Sequence, residues 1–142
     1  MLNTQKLLYV DSSFPITFNN AYDLTGLFAD LPIGATHNVV VHEDKNYAVA
    51  VGARPRSDIC GSGLIFIDLT DPTNPMSMGC NAEDGYVHDA QCLTYNGPDR
   101  RFVGHDICYG FNEDTLTMYA PIPVFAEVLY MGADKTKLRC YK

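Results

Sequence analysis

Short apolar runs separated by turn-forming residues are the dominant pattern of the chain. Gly, Pro, Asn or Asp stands between most of these runs. This order is typical of antiparallel β-strands joined by tight turns. It predicts strands at residues 6–10, 39–41, 47–52, 64–69, 76–80, 90–95, 102–109, 115–119 and 125–131. We therefore expect an all-β fold.

The pattern repeats along the chain with a fixed offset. His37 and His88 open two of the predicted strands and lie 51 residues apart, and the run 63–68 recurs with the same offset at 114–119. A repeat of roughly 50 residues made of short strands is typical of β-propeller blades. The repeat therefore predicts a partial β-propeller of about two and a half four-stranded antiparallel blades.

The repeat also predicts how the chain is divided. Residues 1–36 would be the remnant of a preceding blade, 37–86 a complete blade, and 87–142 a second blade whose tail diverges from about residue 120. A propeller closes with at least about four blades. We therefore expect the missing blades to come from a longer chain or from oligomerisation.

The five cysteines suggest cross-links within hairpins. Cys60 and Cys80, and likewise Cys92 and Cys108, bracket segments of hairpin length, which leaves Cys140 over. Two hairpin disulfides are the preferred interpretation, and buried free thiols are the alternative. Disulfides would indicate an extracellular or cell-surface location. The first ten residues, however, lack the basic and then apolar order of a signal peptide.

Net charge limits the partners that we expect. The chain carries a net charge of −7, whereas nucleic acids and anionic membranes require a basic surface. No apolar run approaches the roughly 20 residues of a membrane-spanning helix. We therefore predict neither a nucleic-acid partner nor a membrane span. The acidic charge is compatible with cation binding, although an acidic surface that keeps the protein soluble is the more common explanation.

Three residues at the repeat boundaries form the first candidate site. In a propeller, the first strand of each blade lines the central channel, which would place His37, His88 and Asp89 near one channel mouth. Imidazole suits zinc or copper and carboxylate favours calcium, so the cofactor predicted for this site is a divalent metal, calcium or zinc. The alternative is that these residues hydrogen-bond between blades and fix their register.

The second candidate site is an acidic cluster formed by Asp106, Glu113 and Asp114. Its spacing fits no 12-residue calcium loop, so calcium ligation is the minor interpretation. The main interpretation is a hairpin turn in solvent. No nucleophile stands in a Gly-x-Ser-x-Gly elbow, and no catalytic residue is predicted.

The segments 37–41, 63–75 and 84–92 resemble the LVIVD-repeat propellers, and more narrowly the secreted choice-of-anchor B proteins. The resemblance covers roughly residues 21–119 and ends after Tyr119. It implies an extracellular or surface-attached β-propeller with no known catalytic residues. It also implies the same two disulfides, which join Cys60 to Cys80 and Cys92 to Cys108.

Three functions are consistent with these features. The first is a non-catalytic secreted or cell-surface β-propeller module that binds a protein or a glycan. The second is a metal-dependent enzyme with a His/Asp site at the channel mouth. The third is a truncated, non-functional product whose exposed sheet edges would aggregate. The fold by itself does not choose between the first two.

Overall fold

The computed structural model of the chain describes residues 16–31, 34–53, 62–82, 85–113, 116–119, 130–134 and 137–141. Within these ranges the regular elements are strands and one short 3₁₀ turn. The strands are β1 (Asn38–His42), β2 (Tyr47–Val51), β3 (Leu64–Asp68), β4 (Met76–Asn81), β5 (Val87–Thr94), β6 (Asp106–Asn112), β7 (Leu116–Tyr119), β8 (Tyr130–Asp134) and β9 (Lys137–Tyr141). The all-β prediction is confirmed.

The strands form antiparallel sheets in which each strand pairs with the next one along the chain. The first sheet has the order β1-β2-β3-β4, the second has the order β5-β6-β7, and β8 pairs with β9. The first sheet lies inside the predicted blade 37–86, and the second lies inside 87–142. The assignment of residues 1–36 to a preceding blade stays a prediction.

A tight turn forms the first hairpin because its residues suit the required backbone. Glu43–Lys45 make a single 3₁₀ turn, and Asn46 follows in the left-handed conformation with φ 54°. Asparagine tolerates this conformation better than most residues with a side chain. Strand β2 then begins at Tyr47, so the predicted turn and the strands on each side of it agree with the structure.

Two strand predictions are corrected in the second half of the chain. The strand predicted at 102–109 begins only at Asp106, because Phe102 belongs to a turn in which its amide donates to the carbonyl of Asp99. Of the strand predicted at 125–131, residues 130 and 131 are described; they belong to β8, which pairs with β9 and not with the second sheet. The strand predicted at 6–10 lies outside the described residues.

The main core lies between the first and second sheets. Cross-strand pairing places alternate residues of each sheet on one face, which we call its inner face. The inner faces pack on each other and bury Tyr47, Val49, Val51, Leu64 and Phe66 of the first sheet against Ala90, Cys92, Cys108 and Tyr119 of the second. Burial of one such aliphatic side chain contributes about 1.5–3 kcal/mol, so this contact holds the two sheets together.

Each sheet also has an outer face that points away from the other sheet. On the first sheet, Ala48, Ala50, Ile65 and Ile67 are buried beneath Phe28, Leu31 and Leu69. On the second sheet, Ile107 and Met118 pack with Tyr95, Phe102 and Tyr109. The segment before β1 and the connection between β5 and β6 therefore each cover part of an outer face.

A disulfide joins Cys92 to Cys108 in the main core. The two residues are directly opposite each other on β5 and β6, so this predicted pair is confirmed. Cys80 is also disulfide-bonded, and its predicted partner Cys60 lies outside the described residues. None of the helical structure in the described ranges is long and apolar enough to cross a membrane.

Candidate functional site

The predicted site residues lie where the first strands of the two sheets meet. Strands β1 and β5 are neighbours across the contact between the sheets. His37 directly precedes β1, and its amide donates to the carbonyl of Val51 at 3.0 Å. His88 is the second residue of β5, at an irregularity in the pairing with β6. The packing of the two sheets thus brings together residues that are 51 positions apart.

The imidazoles of His37 and His88 form an aromatic cluster with Tyr86, which we call the histidine patch. The ring centroids are 5.3 Å apart for His37 and His88, 5.0 Å for Tyr86 and His88, and 6.1 Å for His37 and Tyr86, all in edge-to-face geometry. Edge-to-face contacts of this kind are favourable beyond the area they bury. Tyr86 is buried, His88 is half-buried and His37 is exposed.

A hydrogen bond joins the two strands beside the histidine patch. The Nδ2 group of Asn38 donates to Oδ1 of Asp89 at 2.8 Å, across 51 residues of sequence. Each of the two side chains also accepts the amide of the following residue through Oδ1, at 2.8 Å in both cases. Asn38 and Asp89 thus have the same local geometry in the two sheets, and the bond links residues that are 51 positions apart.

The outer border of the histidine patch is acidic. The Nε2 atom of His88 is 3.7 Å from Oε1 of Glu113, and both side chains are almost half exposed. The pair is ionic only when the imidazole is protonated, and an exposed pair of this kind contributes little to stability. It nevertheless places a carboxylate next to the imidazole on an accessible surface.

Only two of the three predicted metal ligands are shown in contact with each other. His37 and His88 are in contact, whereas Asp89 is engaged by the amide of Asn38 and the backbone of Ala90. Among the residues that the structure describes, no group of three or more His, Cys, Asp or Glu side chains is arranged to hold a metal ion. Metal binding here stays a prediction, while the hydrogen bond between sheets agrees with the alternative interpretation.

The second candidate site is not a single cluster. Asp106 begins β6 and Glu113 follows the end of that strand, so about seven residues of extended chain, roughly 23 Å, separate them. Asp106 instead accepts a hydrogen bond from Oγ1 of Thr94 at 3.0 Å and lies 3.8 Å from Nζ of Lys45. Residues near in sequence are far apart here because the strand between them is extended. Asp114 lies outside the described residues.

A buried tyrosine near Asp106 was not anticipated from the sequence. The hydroxyl of Tyr47 is 3.7 Å from Sγ of Cys108 in the main core. Burial, and to a smaller extent the negative charge of Asp106, raise the pKa of Tyr47 well above its usual range. The strand pattern placed Tyr47 at the start of β2 but gave no signal that its hydroxyl meets the disulfide, because that contact spans 61 residues.

Asp99 is held by the turn that precedes β6. Its carboxylate accepts hydrogen bonds from the backbone and guanidinium of Arg101, which lower the pKa of Asp99. The guanidinium also lies over the ring of Phe102, 5.2 Å from its centroid. These contacts stabilise a turn at the far end of β5 and β6 from the histidine patch, and they do not suggest a second site.

Comparisons with protein-family models, curated proteins and solved structures found no match to this chain.

Proposed function

We propose that the chain is a non-catalytic, secreted or cell-surface interaction module of the β-propeller type, and that it binds a protein partner at the histidine patch. One observation carries the proposal. The patch places the accessible imidazoles of His37 and His88 against the buried ring of Tyr86, with the carboxylate of Glu113 beside His88, at the junction of two packed sheets. Protein-binding surfaces are typically enriched in aromatic residues at their centre and surrounded by a polar rim.

Three observations support a propeller-type module. The first sheet has four antiparallel strands in sequential order, which is the order of a propeller blade. The equivalent residues Asn38 and Asp89 also have the same geometry in the two sheets. The resemblance of residues 37–41, 63–75 and 84–92 to the LVIVD-repeat proteins points in the same direction.

A protein is favoured over a glycan because of how the rings are buried. Recognition of a sugar by stacking needs the open face of an aromatic ring, but Tyr86 is only 8% exposed. The accessible groups are instead imidazole and carboxylate, which suit polar and charged side chains of a protein. The disulfide between Cys92 and Cys108 is compatible with an extracellular location.

The proposal is tested with the oxidised, purified chain on two arrays, one of secreted and surface protein domains and one of glycans. We expect a protein ligand whose affinity falls at least about tenfold, or 1.4 kcal/mol, when His37 and His88 are both replaced by alanine. Tyr22→Ala is the matched control, because Tyr22 is an exposed aromatic residue outside the patch. This variant should bind as the wild type does.

Three results would overturn this proposal. Binding only to glycans would refute the choice of partner. Protein binding that survives the double histidine variant would remove the patch from the interaction. Protein that is recovered only as aggregates would favour the third interpretation, a truncated product without function.

A metal-dependent enzyme is the second candidate function, and the contact between His37 and His88 favours it. Metal analysis of purified protein separates the two candidates. Zinc, copper or iron bound in a 1:1 ratio and lost in His88→Ala would refute the non-catalytic scaffold. Protein without bound metal that also fails to retain added zinc or calcium would refute the enzyme.

A further inference from the structure

The outer face of the first sheet exposes valines whose equivalents in the second sheet are buried. Val39 and Val41 of β1 are 53% and 54% exposed. The residues 51 positions later are Ala90 and Cys92, which are 5% and 7% exposed because they pack against the first sheet. Strand β1 therefore has apolar residues on its outer face that resemble those of an interface. None of the described residues covers them.

On the outer face of the second sheet, an exposed residue corresponds to a buried residue of the first sheet. Phe111 pairs with Asp89 as Val51 pairs with Asn38, so Phe111 and Val51 occupy equivalent positions. Val51 is fully buried against the second sheet, whereas Phe111 is 45% exposed. Leu93, on the same outer face, is also exposed. Around Phe111 and Leu93, the second sheet therefore has an exposed apolar area that could contact another strand.

The exposed parts of the two outer faces correspond to parts of the interface already present between the sheets, and they lie beside the areas that the segment before β1 and the connection between β5 and β6 cover. We propose that a second copy of the chain docks head-to-tail, with its Val39 and Val41 placed on Phe111 and Leu93 of the first copy. Both exposed parts are on this chain and continue its internal sheet packing, which is why a second copy is the occupant. This inference does not depend on the protein partner proposed for the histidine patch.

The hydrogen bond beside the histidine patch indicates which copy would donate and which would accept at this interface. Asn38 uses one N–H of its amide to bind Asp89, and an amide nitrogen carries two N–H groups. Asp89 is exposed at the surface, and an ionised carboxylate only accepts hydrogen bonds. The Asn38 amide of a second copy can thus donate to Asp89 of the first. An interface between two different surfaces joins copies into rings or open chains.

The test uses two charge variants, Val41→Glu and Phe111→Glu, in the oxidised full chain. Each variant introduces a charge into one of the two docking surfaces and leaves the other surface unchanged. Sedimentation equilibrium up to about 200 μM, a range that suits small and weak interfaces, should show self-association of the wild type and monomers for each variant alone. An equimolar mixture of the two variants should form a 1:1 dimer, because one productive pair of surfaces remains.

Met76→Glu is the matched control, since Met76 is an exposed apolar residue on the opposite edge of the first sheet. It should self-associate as the wild type does. If a glutamate variant is not folded by circular dichroism, Val41→Thr and Phe111→Ser replace it and should weaken association at least about tenfold.

The remaining outcomes would overturn the inference. A wild type that stays monomeric would refute self-association. Association that neither variant reduces would place the contact elsewhere. Variants that stay monomeric when mixed would refute head-to-tail docking and indicate contacts between identical surfaces.

Discussion

Asn38 and Asp89 differ by one functional group, and this difference makes the bond between the sheets directional. The amide of Asn38 donates, and the carboxylate of Asp89 accepts. Because each side chain also accepts the amide of the next residue, the two side chains are oriented before they meet. Such orientation lowers the entropy lost when the bond forms.

We expect Asn38→Asp to destabilise the protein by about 1–2 kcal/mol at neutral pH, because two carboxylates would replace a hydrogen bond. The loss should shrink in high salt, which screens exposed charges. Adding Asp89→Asn restores a donor and an acceptor with the direction reversed, and should recover most of the stability. Urea denaturation of the two single variants and the double variant gives the coupling, and additive effects would contradict this role.

The buried hydroxyl of Tyr47 predicts sensitivity to alkali. Its pKa in the folded protein is raised by burial and then by Asp106, so the folded state disfavours the phenolate. The stability linked to this group is full below about pH 10, the unfolded value, and falls as the pH rises above it.

As the pH rises from about 9 to 11, the free energy of unfolding should therefore fall less for Tyr47→Phe than for the wild type. Denaturation curves at several pH values measure this, with Cys140→Ser in both proteins to limit thiol–disulfide exchange. Tyr22→Phe is the control because Tyr22 is 86% exposed. Parallel pH profiles for the wild type and Tyr47→Phe would contradict the prediction.

At the scale of elements, the disulfide fixes the central hairpin of the second sheet. Cys92 and Cys108 are opposite each other on β5 and β6 and are separated by 16 residues. Closing a loop of that length is worth about 3 kcal/mol in the chain-entropy model.

Replacing both Cys92 and Cys108 with alanine should lower the free energy of unfolding by about 2–4 kcal/mol. Urea denaturation measures the loss, and Cys140→Ser provides the control. Peptide mapping without reductant should recover the two cysteines as one cross-linked pair. Alkylated, free thiols at both positions would contradict the structure.

The strands that the sequence predicted well are those in which apolar residues lie between clear turn residues. Strands β1 to β4 fit that description, since Asn46 and the segment 71–75 separate their runs. The start of β6 was predicted four residues early because Phe102 is apolar but packs against Tyr95 from a turn. A hydrophobic pattern reports burial and does not distinguish a strand from a packed turn.

The contact between the two histidines of the candidate site was predictable from their spacing in the sequence. The offset of 51 residues predicted that His37 and His88 lie near each other, and the structure puts their rings in contact. The separation of Asp106 from Glu113 could not be read from composition, because it depends on the extended strand between them. The contribution of Tyr86 likewise depends on how the sheets pack.

On the scale of the whole molecule, the shared core couples the two sheets. Leu64 is fully buried in the contact between them. We expect Leu64→Ala to cost about 3 kcal/mol and to reduce amide protection in β5 to β7 as well as in β2 and β3. Hydrogen exchange measures this protection, and Leu27→Ala, at a 67% exposed residue, is the control. Unchanged protection in β5 to β7 would show that the sheets unfold independently.

Two glycines, Gly34 and Gly85, each precede a histidine of the patch by three residues. Their φ angles are +69° and +80°, and a β-carbon added at either position would meet no atom within 4 Å. The restriction at these positions therefore comes from the backbone and not from crowding. L-residues rarely adopt this conformation.

Positions 34 and 85 therefore suit a D-amino acid better than an L-amino acid with a side chain. In a synthetic protein, D-alanine at position 85 should stabilise the fold by about 0.4–1 kcal/mol, because it restricts the unfolded chain without straining the native backbone. Gly85→Ala, with the natural L-residue, should destabilise it by about 1–2 kcal/mol. Thermal unfolding of the two proteins makes the comparison, and equal effects of both enantiomers would contradict it. The effect of alanine on the free energy of unfolding at this turn, which leads into β5, would then depend only on the chirality of the residue.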